Sequence, residues 1–263
     1  MSILALDIGG TNMRLALGEG DALSHIETQS TPKNPQEAVS AISAYIQKHD
    51  AQIESVVGGV AGAINNGVVH RSPNLPGWKG LSFGDLLSEA LAVPAALYND
   101  ADLGGLGEAV YGAGKDYVLV GYMAIGTGVG GTLVHNKRII SSLEGLEPGK
   151  QILEHASGRT LEDFVSGAGI KRETGKESAE AGRVFYGERT KILAAGIYNS
   201  VRHWSPEIFV LAGSLMNEET AFRIADVNDA LANIARDVPM PRIVHGTLDD
   251  TAGLYGALAT LKT

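Results

Sequence analysis

Apolar residues in the first part of the chain alternate between short continuous runs and segments in which they recur every three or four positions. Two short runs, residues 3–9 and 13–19, are joined by Gly-Gly-Thr-Asn and predict a β-hairpin, and a third strand is predicted around His25–Gln29. Residues 34–50 predict a helix, because Asn34 can cap it and its apolar positions fall on one face. The chain therefore opens with three strands and a helix.

More strands and helices follow in the first half of the chain, and the second half repeats a similar order of elements. A buried strand is predicted at 53–62, a helix at Phe83–Leu91 and a strand that ends at Asn99. The second half predicts three strands, a helix, a strand, a helix, a strand and a closing helix, at 117–125, 129–135, 137–141, 184–204, 208–213, 224–234, 242–246 and 251–262.

Similar orders of elements in the two halves indicate two α/β lobes and suggest an internal duplication. We expect a smaller N-terminal lobe of residues 1–113 plus 247–263 and a larger C-terminal lobe of residues 114–246. A cleft between two such lobes is a natural place for a ligand.

Composition excludes several classes of function. A net charge of −9 over 263 residues leaves no basic surplus for nucleic-acid binding. The absence of cysteine excludes disulfides, thiolate catalysis and cysteine-ligated zinc. The chain starts directly on a strand without a signal-peptide pattern, and the long uncharged stretch 117–135 is too glycine-rich for a persuasive membrane helix. We expect a soluble, cytoplasmic protein that does not bind membranes.

Two glycine-rich turns are candidate phosphate loops. "DIGGTNMR" (7–14) ends a strand on a carboxylate, and "AIGTGVGGT" (124–132) joins two later strands. Glycine lets backbone N–H groups approach phosphate oxygens, and a carboxylate beside a nucleotide can hold Mg²⁺ directly or through water. The candidate nucleotide-binding residues are Asp7, Gly9, Gly10, Thr11, Asn12, Gly126, Thr127 and Gly128, with Asp7 as the magnesium ligand. The alternative for the first loop alone is a simple glycine hairpin.

A third turn, "FVLAGSLMN" (209–217), follows a buried strand and precedes a helix. Such a turn can pack against an adenine ring, which makes Gly213 and Ser214 candidate nucleotide-binding residues. Strand–glycine–helix turns are common, so this signal is weak by itself.

The adjacent Asn99 and Asp100 end one strand where a helical pattern begins. Both residue types are good turn and helix-cap residues, so capping is the simplest interpretation of the pair. Asp102 is the better candidate for a residue that only caps the helix.

Five motifs in order, at compatible spacing, carry a resemblance that spans nearly the whole chain. They are "DIGGTN", "GVAGAINNGVVHRSPNLPGW", "YNDADLGGLGEA", "IGTGVGGTLVHNKRI" and "VLAGSLMN". In these motifs the chain resembles the bacterial ROK family of sugar kinases and repressors. The resemblance implies the actin-like ATPase fold, an α/β architecture with two RNase H-like lobes around an interlobe cleft, and ATP and a sugar as ligands.

The resemblance also implies roles for single residues. Asn99 would hold a sugar hydroxyl, and Asp100 would be the catalytic base that accepts the proton of the attacking hydroxyl. Asn74, in the loop "SPNLPGW", is a plausible further hydroxyl ligand, although a proline-bracketed turn also explains that loop. Glu147 and Glu162 match the two sugar-binding glutamates.

The chain departs from the family pattern in one segment, "LEPGKQILEHASGRTLEDFVSG" (146–167). Lys150 stands where the family has a histidine, and the loop that carries the family's zinc-binding cysteines is shortened and has no cysteine. We therefore expect no structural zinc site. Lys150 can donate to a sugar hydroxyl, pair with Glu147 or Glu162, or point to solvent.

These features predict an ATP- and Mg²⁺-dependent hexose kinase that phosphorylates the 6-hydroxyl of glucose or a similar aldohexose. Fructose and N-acetylhexosamines are alternative substrates. A weakened sugar- or nucleotide-binding protein is a second alternative, suggested by Lys150. A repressor is disfavoured because the chain starts on the first phosphate strand, with no preceding helix-turn-helix. By resemblance, we expect a homo-oligomer, a dimer.

Overall fold

Two five-stranded sheets organise the chain, each in a unit of its own. The computed structural model describes residues 2–65, 67–72, 75–140, 145–216, 219, 221–236 and 238–262. The first unit comprises Met1–Val110, Ser141–Gly145 and Thr251–Thr263, and the second comprises Tyr111–Ile140 and Leu146–Asp250.

The elements of the first half, in chain order, are β1 (Ser2–Ile8), β2 (Asn12–Glu19), β3 (Ala22–Ser30), α1 (Pro35–Lys48), β4 (Ser55–Val60), β5 (Ala63–Asn65), β6 (Val68–Arg71), α2 (Phe83–Leu91), β7 (Ala95–Asn99) and α3 (Asp100–Val110). Those of the second half are β8 (Leu119–Ile125), β9 (Val129–His135), β10 (Arg138–Ile139), β11 (Ile152–Glu154), β12 (Arg159–Thr160), α4 (Leu161–Val165), α5 (Gly167–Thr174), α6 (Gly182–Trp204), β13 (Ile208–Ala212), α7 (Ile224–Ala235), β14 (Arg242–His245) and α8 (Ala252–Ala259). Short 3₁₀ turns lie at Pro76–Trp78, Pro148–Lys150, Ser178–Glu180, Asp249–Thr251 and Thr260–Lys262.

The two sheets share one plan, as the repeated order of elements predicted. The first has the strand order β3-β2-β1-β4-β7 and the second β10-β9-β8-β13-β14. In each, the first three strands of the unit form an antiparallel meander, and two later strands join it in parallel. Parallel strands need helical crossovers that cover both faces of a sheet, which explains why β1, β8 and β13 are almost continuously apolar.

Each unit has its own apolar core. In the first, the rings of Trp78 and Phe83 contact each other at a tilt, and both belong to the buried cluster that includes Ile42 of α1. In the second, Tyr186 packs edge-on against Phe222. These cores hold the strand ends, and the turns that follow them, in fixed positions.

The elements predicted from hydrophobic periodicity are present with small shifts in their ends. The helix predicted at 34–50 is α1, and the side chain of Asn34 caps it by accepting the N–H of Gln36 at 2.9 Å. The uncharged stretch 117–135 forms the β8–β9 hairpin, as predicted. Across the residues that the structure describes, no helix has both the length and the apolarity to cross a membrane.

Helices α3 and α8 of the first unit touch at a contact that only glycine permits. A methyl group on Gly107 would lie 2.2 Å from the carbonyl oxygen of Ala252, and one on Gly256 would lie 1.8 Å from that of Leu103. The two backbones are therefore in direct contact. This crossing fixes the first residue of α3, Asp100, relative to the residues of α8.

Replacing either glycine by alanine should destabilise the protein. We expect Gly107→Ala and Gly256→Ala each to lower the free energy of unfolding by about 3 kcal/mol, because the helices must separate to admit the methyl group. The measurement is the thermal unfolding midpoint.

Gly187→Ala is the matched control. Gly187 is exposed on α6, and a methyl group there would meet no described atom within 4 Å outside its own stretch of helix. It should leave stability unchanged or raise it by up to about 1 kcal/mol. A Gly256→Ala protein that melts with the wild type would contradict the close helix contact.

Candidate functional site

The first glycine turn joins β1 to β2, and its carbonyl groups are all taken by donors. Thr31 donates its Oγ1 hydroxyl to the carbonyl of Gly9 at 2.7 Å and its N–H to that of Thr11 at 2.8 Å. Lys33 donates from Nζ to the carbonyl of Gly10 at 2.8 Å. The N–H groups of Gly10 and Thr11, in contrast, find no acceptor among the residues the structure describes. Unpaired N–H groups on a glycine turn form a concavity suited to an anion.

The second glycine turn, between β8 and β9, is arranged in the same way. The carbonyls of Gly126 and Thr127 accept the N–H groups of Gly167 and Ala168, at the start of α5, at 2.8 and 3.0 Å. The N–H groups of Thr127 and Gly128 have no acceptor within the described part of the chain. Both turns therefore present donors, which is the chemistry that a phosphate group requires.

The turn after β13 lies against the second glycine turn. Gly213 has φ +95°, and a methyl group on it would lie 2.4 Å from the carbonyl oxygen of Ile125. A methyl group on Gly126 would lie 3.4 Å from Oγ of Ser214. The structure thus brings Gly213 and Ser214, the candidates for the adenosine site, next to the candidate phosphate loop.

Asp7 stands in β1 directly opposite Arg14 of β2, and Arg14 Nη1 lies 3.4 Å from its Oδ2. Gly253 of α8 leaves room for the carboxylate, because a methyl group there would lie 3.0 Å from Asp7 Cγ. The Asp7 side chain keeps 17% of its surface exposed. One accessible carboxylate beside a donor-lined turn fits Mg²⁺, which takes one or two protein carboxylates and completes its shell with water and phosphate.

Asn99, the last residue of β7, caps helix α3. Its Oδ1 accepts the N–H groups of Ala101 at 2.8 Å and Asp102 at 3.2 Å, and its Nδ2 donates to the carbonyl of Gly62 at 2.7 Å. The capping interpretation is therefore right for Asn99, and Asp102 lies within the first turn of the helix. An asparagine at this position accepts two orphan N–H groups of the first turn and ties the strand end to the 61–62 bend.

Asp100 is the first residue of α3 and is partly buried. Burial raises the pKa of its carboxyl group to about 7, and the nearby charges of Asp7 and Asp102 add to this rise, against the lowering effect of the Ala101 N–H. Gly59 of β4 gives it space, since a methyl group there would lie 3.1 Å from Asp100 Cα. A carboxylate with a pKa near neutrality is suited to accept a proton from a neutral group.

Glu162 and Lys150 form an ion pair in the second unit. Lys150 Nζ donates to Glu162 Oε1 at 2.6 Å, and Glu162 Oε2 accepts the N–H of Val129 at 2.9 Å. The sequence left three possible contacts for Lys150, and in the structure its side chain pairs with Glu162. Glu147 precedes the same 3₁₀ turn, is partly buried, and accepts the Lys150 N–H on its carbonyl at 3.0 Å.

Asn12 and Asn74 are the remaining asparagines among the candidate site residues. Asn12 begins β2 and is exposed, and its carbonyl accepts the N–H of Gly9 at 2.9 Å. Asn74 lies outside the described residues.

Several residues that shape these turns are not identifiable as site residues from the sequence motifs. The Asp7–Arg14 pair had a signal, because the two residues are equidistant from the hairpin turn and so face each other across the strands. Thr31 and Lys33 follow β3 with no pattern that marks them. No sequence pattern marks Gly59 and Gly253 either, because the atoms they make room for belong to distant parts of the chain.

Comparison with known proteins identifies the chain's relatives. A sequence model described as the ROK family matches residues 3–263. A glucokinase of Thermotoga maritima is 24% identical over 100% of this chain and 98% of its own length. A fructokinase of Pediococcus pentosaceus is 25% identical, with 98% of this chain and 96% of the relative covered.

A solved structure confirms the predicted fold. A ROK family glucokinase from Streptomyces griseus, in complex with glucose and AMPPNP, is similar with a TM-score of 0.84 at 21% identity, covering 99% of both chains. The fold is that of the ROK sugar kinases, the actin-like ATPase fold expected from the motifs.

The pKa of Asp100 predicts a pH-dependent stability difference between the wild type and Asp100→Asn. The group's pKa rises from an ordinary 3.8 to about 7 on folding, so the folded state holds this proton more tightly than the unfolded chain does. The wild type should therefore lose stability relative to Asp100→Asn as the pH rises from about 4 to about 7. The difference should stay constant above that range, at up to about 4 kcal/mol.

Thermal unfolding midpoints of both proteins between pH 4 and 9 provide the test. Asp229→Asn, at an exposed position of α7, is the control and should follow the wild type at every pH. A constant difference between Asp100→Asn and wild type over the whole range would show that the carboxyl group has an ordinary pKa.

Proposed function

The chain belongs to the ROK family, and from this we propose that it is an ATP-dependent sugar kinase, which phosphorylates the 6-hydroxyl of glucose or a similar aldohexose. The observation that carries the proposal is Asp100, a helix-start carboxylate with a pKa raised to about 7. The named relatives support it, since one is a glucokinase and another was solved with glucose and AMPPNP.

Asp100 is proposed as the general base. The sugar hydroxyl oxygen forms a bond to the γ-phosphorus of ATP, and the bond between that phosphorus and the bridging oxygen of ADP breaks. The hydroxyl proton passes to the Asp100 carboxylate, so the products are a sugar phosphate and ADP. A positioned base contributes about 10²–10⁴ in rate to such a transfer.

The two glycine turns are proposed to bind the phosphates. The N–H groups of Gly10, Thr11, Thr127 and Gly128 would supply hydrogen-bond donors that stabilise the charge on the transferring phosphoryl group. Asp7 would hold Mg²⁺, directly or through water, and the ion would neutralise charge on the phosphates. Gly9 and Asn12 shape the first turn, and Gly126 the second.

The adenosine is proposed to lie against Gly213 and Ser214. The closeness of Ser214 to Gly126 supports this, because an adenine ring bound there would lie beside the turn proposed to bind the phosphates.

The sugar is proposed to contact Asn99, Asp100, Glu147, Lys150 and Glu162, with Asn74 as a further ligand. Among the described residues, one amide hydrogen of Asn99 has no acceptor and is available to a hydroxyl, since the side-chain oxygen accepts two N–H groups and the other amide hydrogen goes to Gly62. Cytoplasmic location and a homo-oligomeric state, a dimer, are part of this proposal.

Fructose and N-acetylhexosamines are alternative substrates, and the fructokinase relative favours the first. A weakened sugar- or nucleotide-binding protein is the alternative from another class. The Lys150–Glu162 ion pair favours it, because each of these side chains already has a charged partner.

A coupled ADP-release assay across a panel of hexoses tests the function. We expect ATP-dependent turnover with glucose or a related aldohexose, and Asp100→Asn should lower kcat by about 10²–10⁴ with little change in sugar KM. The rate of the wild type should rise with pH up to about 7, as the base loses its proton. Turnover by Asp100→Asn at the wild-type rate would remove Asp100 from the base role, and no turnover with any hexose would favour the binding-protein alternative.

Metal removal gives an independent prediction. EDTA should abolish turnover and added Mg²⁺ should restore it, because Asp7 and the phosphates require a divalent ion. A zinc-selective chelator should have no effect, since the chain has no cysteine to hold the family's zinc. Inactivation by that chelator, reversed by zinc alone, would contradict this expectation.

A further inference from the structure

A single carboxylate connects the 147–150 turn to the second glycine turn. Glu162, in the first turn of α4, receives Lys150 Nζ on one oxygen at 2.6 Å and the Val129 N–H on the other at 2.9 Å. The two side chains are 41% and 28% exposed, so water competes only partly for this pair. The ion pair and the backbone bond therefore share one side-chain conformation.

The carboxylate also packs directly on the loop backbone. A methyl group on Gly128 would lie 2.9 Å from Glu162 Oε2, and one on Gly149 would lie 2.3 Å from the carbonyl oxygen of Val129. The backbone of Val129 leaves no space for a side chain at Gly149, and a side chain at Gly128 would displace the Glu162 carboxylate. The turn that carries Lys150 and the helix that carries Glu162 thus both touch the strand side of the loop.

The other side of the loop is held separately. Gly167 and Ala168 donate to the carbonyls of Gly126 and Thr127, as described above. Within the loop, the Gly128 carbonyl accepts the Gly126 N–H at 2.9 Å, and Val129 pairs with Ile125 across the two strands. The N–H of Val129 is held in addition by a side chain. Glu162 is the group that accepts the Val129 N–H.

We propose that Lys150 is a positioning residue for nucleotide binding, which acts through Glu162 to hold the phosphate loop in shape. The inference rests on the proposed function for the binding role of that loop. The Lys150 ammonium holds the Glu162 carboxylate in the conformation that accepts the Val129 N–H, because charge-assisted hydrogen bonds are about twice as strong as neutral ones. The Thr127 and Gly128 donors are then preorganised for phosphate, and preorganisation raises affinity. This role is additional to the sugar contacts proposed for the two side chains.

The test measures the Kd of Mg²⁺–ADP by calorimetry and the backbone amide exchange of residues 126–130 in the full chain without ligand. Lys150→Met, which keeps the length of the side chain and removes its charge, should raise the Kd about tenfold and speed exchange at Val129. Lys150→Arg should restore both to within about threefold of the wild type, since a guanidinium can pair with the same carboxylate. Lys191→Met is the matched control, because Lys191 pairs with Glu188 in the same unit on exposed α6, and it should change neither.

Comparing the single variants with the double variant shows whether Lys150 and Glu162 act as a pair or independently. Glu162→Gln should weaken nucleotide binding like Lys150→Met, and the double variant should be no worse than either single one. Additive losses, or an unchanged nucleotide Kd together with unchanged exchange in Lys150→Met, would overturn the proposal. If Lys150→Met does not fold, Lys150→Arg and Glu162→Gln still test it through the same two measurements.

The outcomes also separate this inference from the kinase assignment. A wild-type chain that binds Mg²⁺–ADP but turns over no hexose would refute the proposed kinase function, whereas a raised Kd and fast Val129 exchange in Lys150→Met would still support the positioning role. An altered sugar KM with unchanged nucleotide Kd in Lys150→Met would leave Lys150 in the sugar site alone and overturn the inference.

Discussion

The direct backbone contact between α3 and α8 sets the geometry of the first unit's candidate site. Gly107 and Gly256 let the two helices touch, with no space for a side chain at either position. Asp100 begins one of these helices, and Gly253 of the other borders the carboxylate of Asp7. Because two close helices have few ways to fit, the positions of the two carboxylates follow from one packing constraint.

That constraint also explains the chemistry of Asp100. Its pKa rises to about 7 first because it is buried and then because Asp7 lies near. Both causes are consequences of packing, since a looser α3–α8 crossing would admit water and separate the like charges. This arrangement costs stability at neutral pH, because the folded protein must ionise a carboxyl group that its surroundings favour in the protonated form.

In both glycine turns the backbone carbonyls accept hydrogen bonds, but different kinds of residue donate them. In the first unit a threonine and a lysine that follow β3 take the turn carbonyls, and in the second the start of α5 does so. In both, neighbouring N–H groups keep no acceptor among the described residues. Because a backbone donor cannot be aimed unless the carbonyls on either side are held, the supporting residues matter as much as the glycines themselves.

The sequence by itself determined the strands, helices and glycine turns, since these depend on local periodicity and on residues with special backbone freedom. It also determined the family, because five motifs in order leave few alternatives. Only the tertiary structure decided that Asn99 caps α3, that Lys150 pairs with Glu162 rather than Glu147, and that Gly59 and Gly253 make room for carboxylates. Each of these depends on atoms that are brought together across the fold, and the distance between such atoms is set by packing rather than by any local pattern.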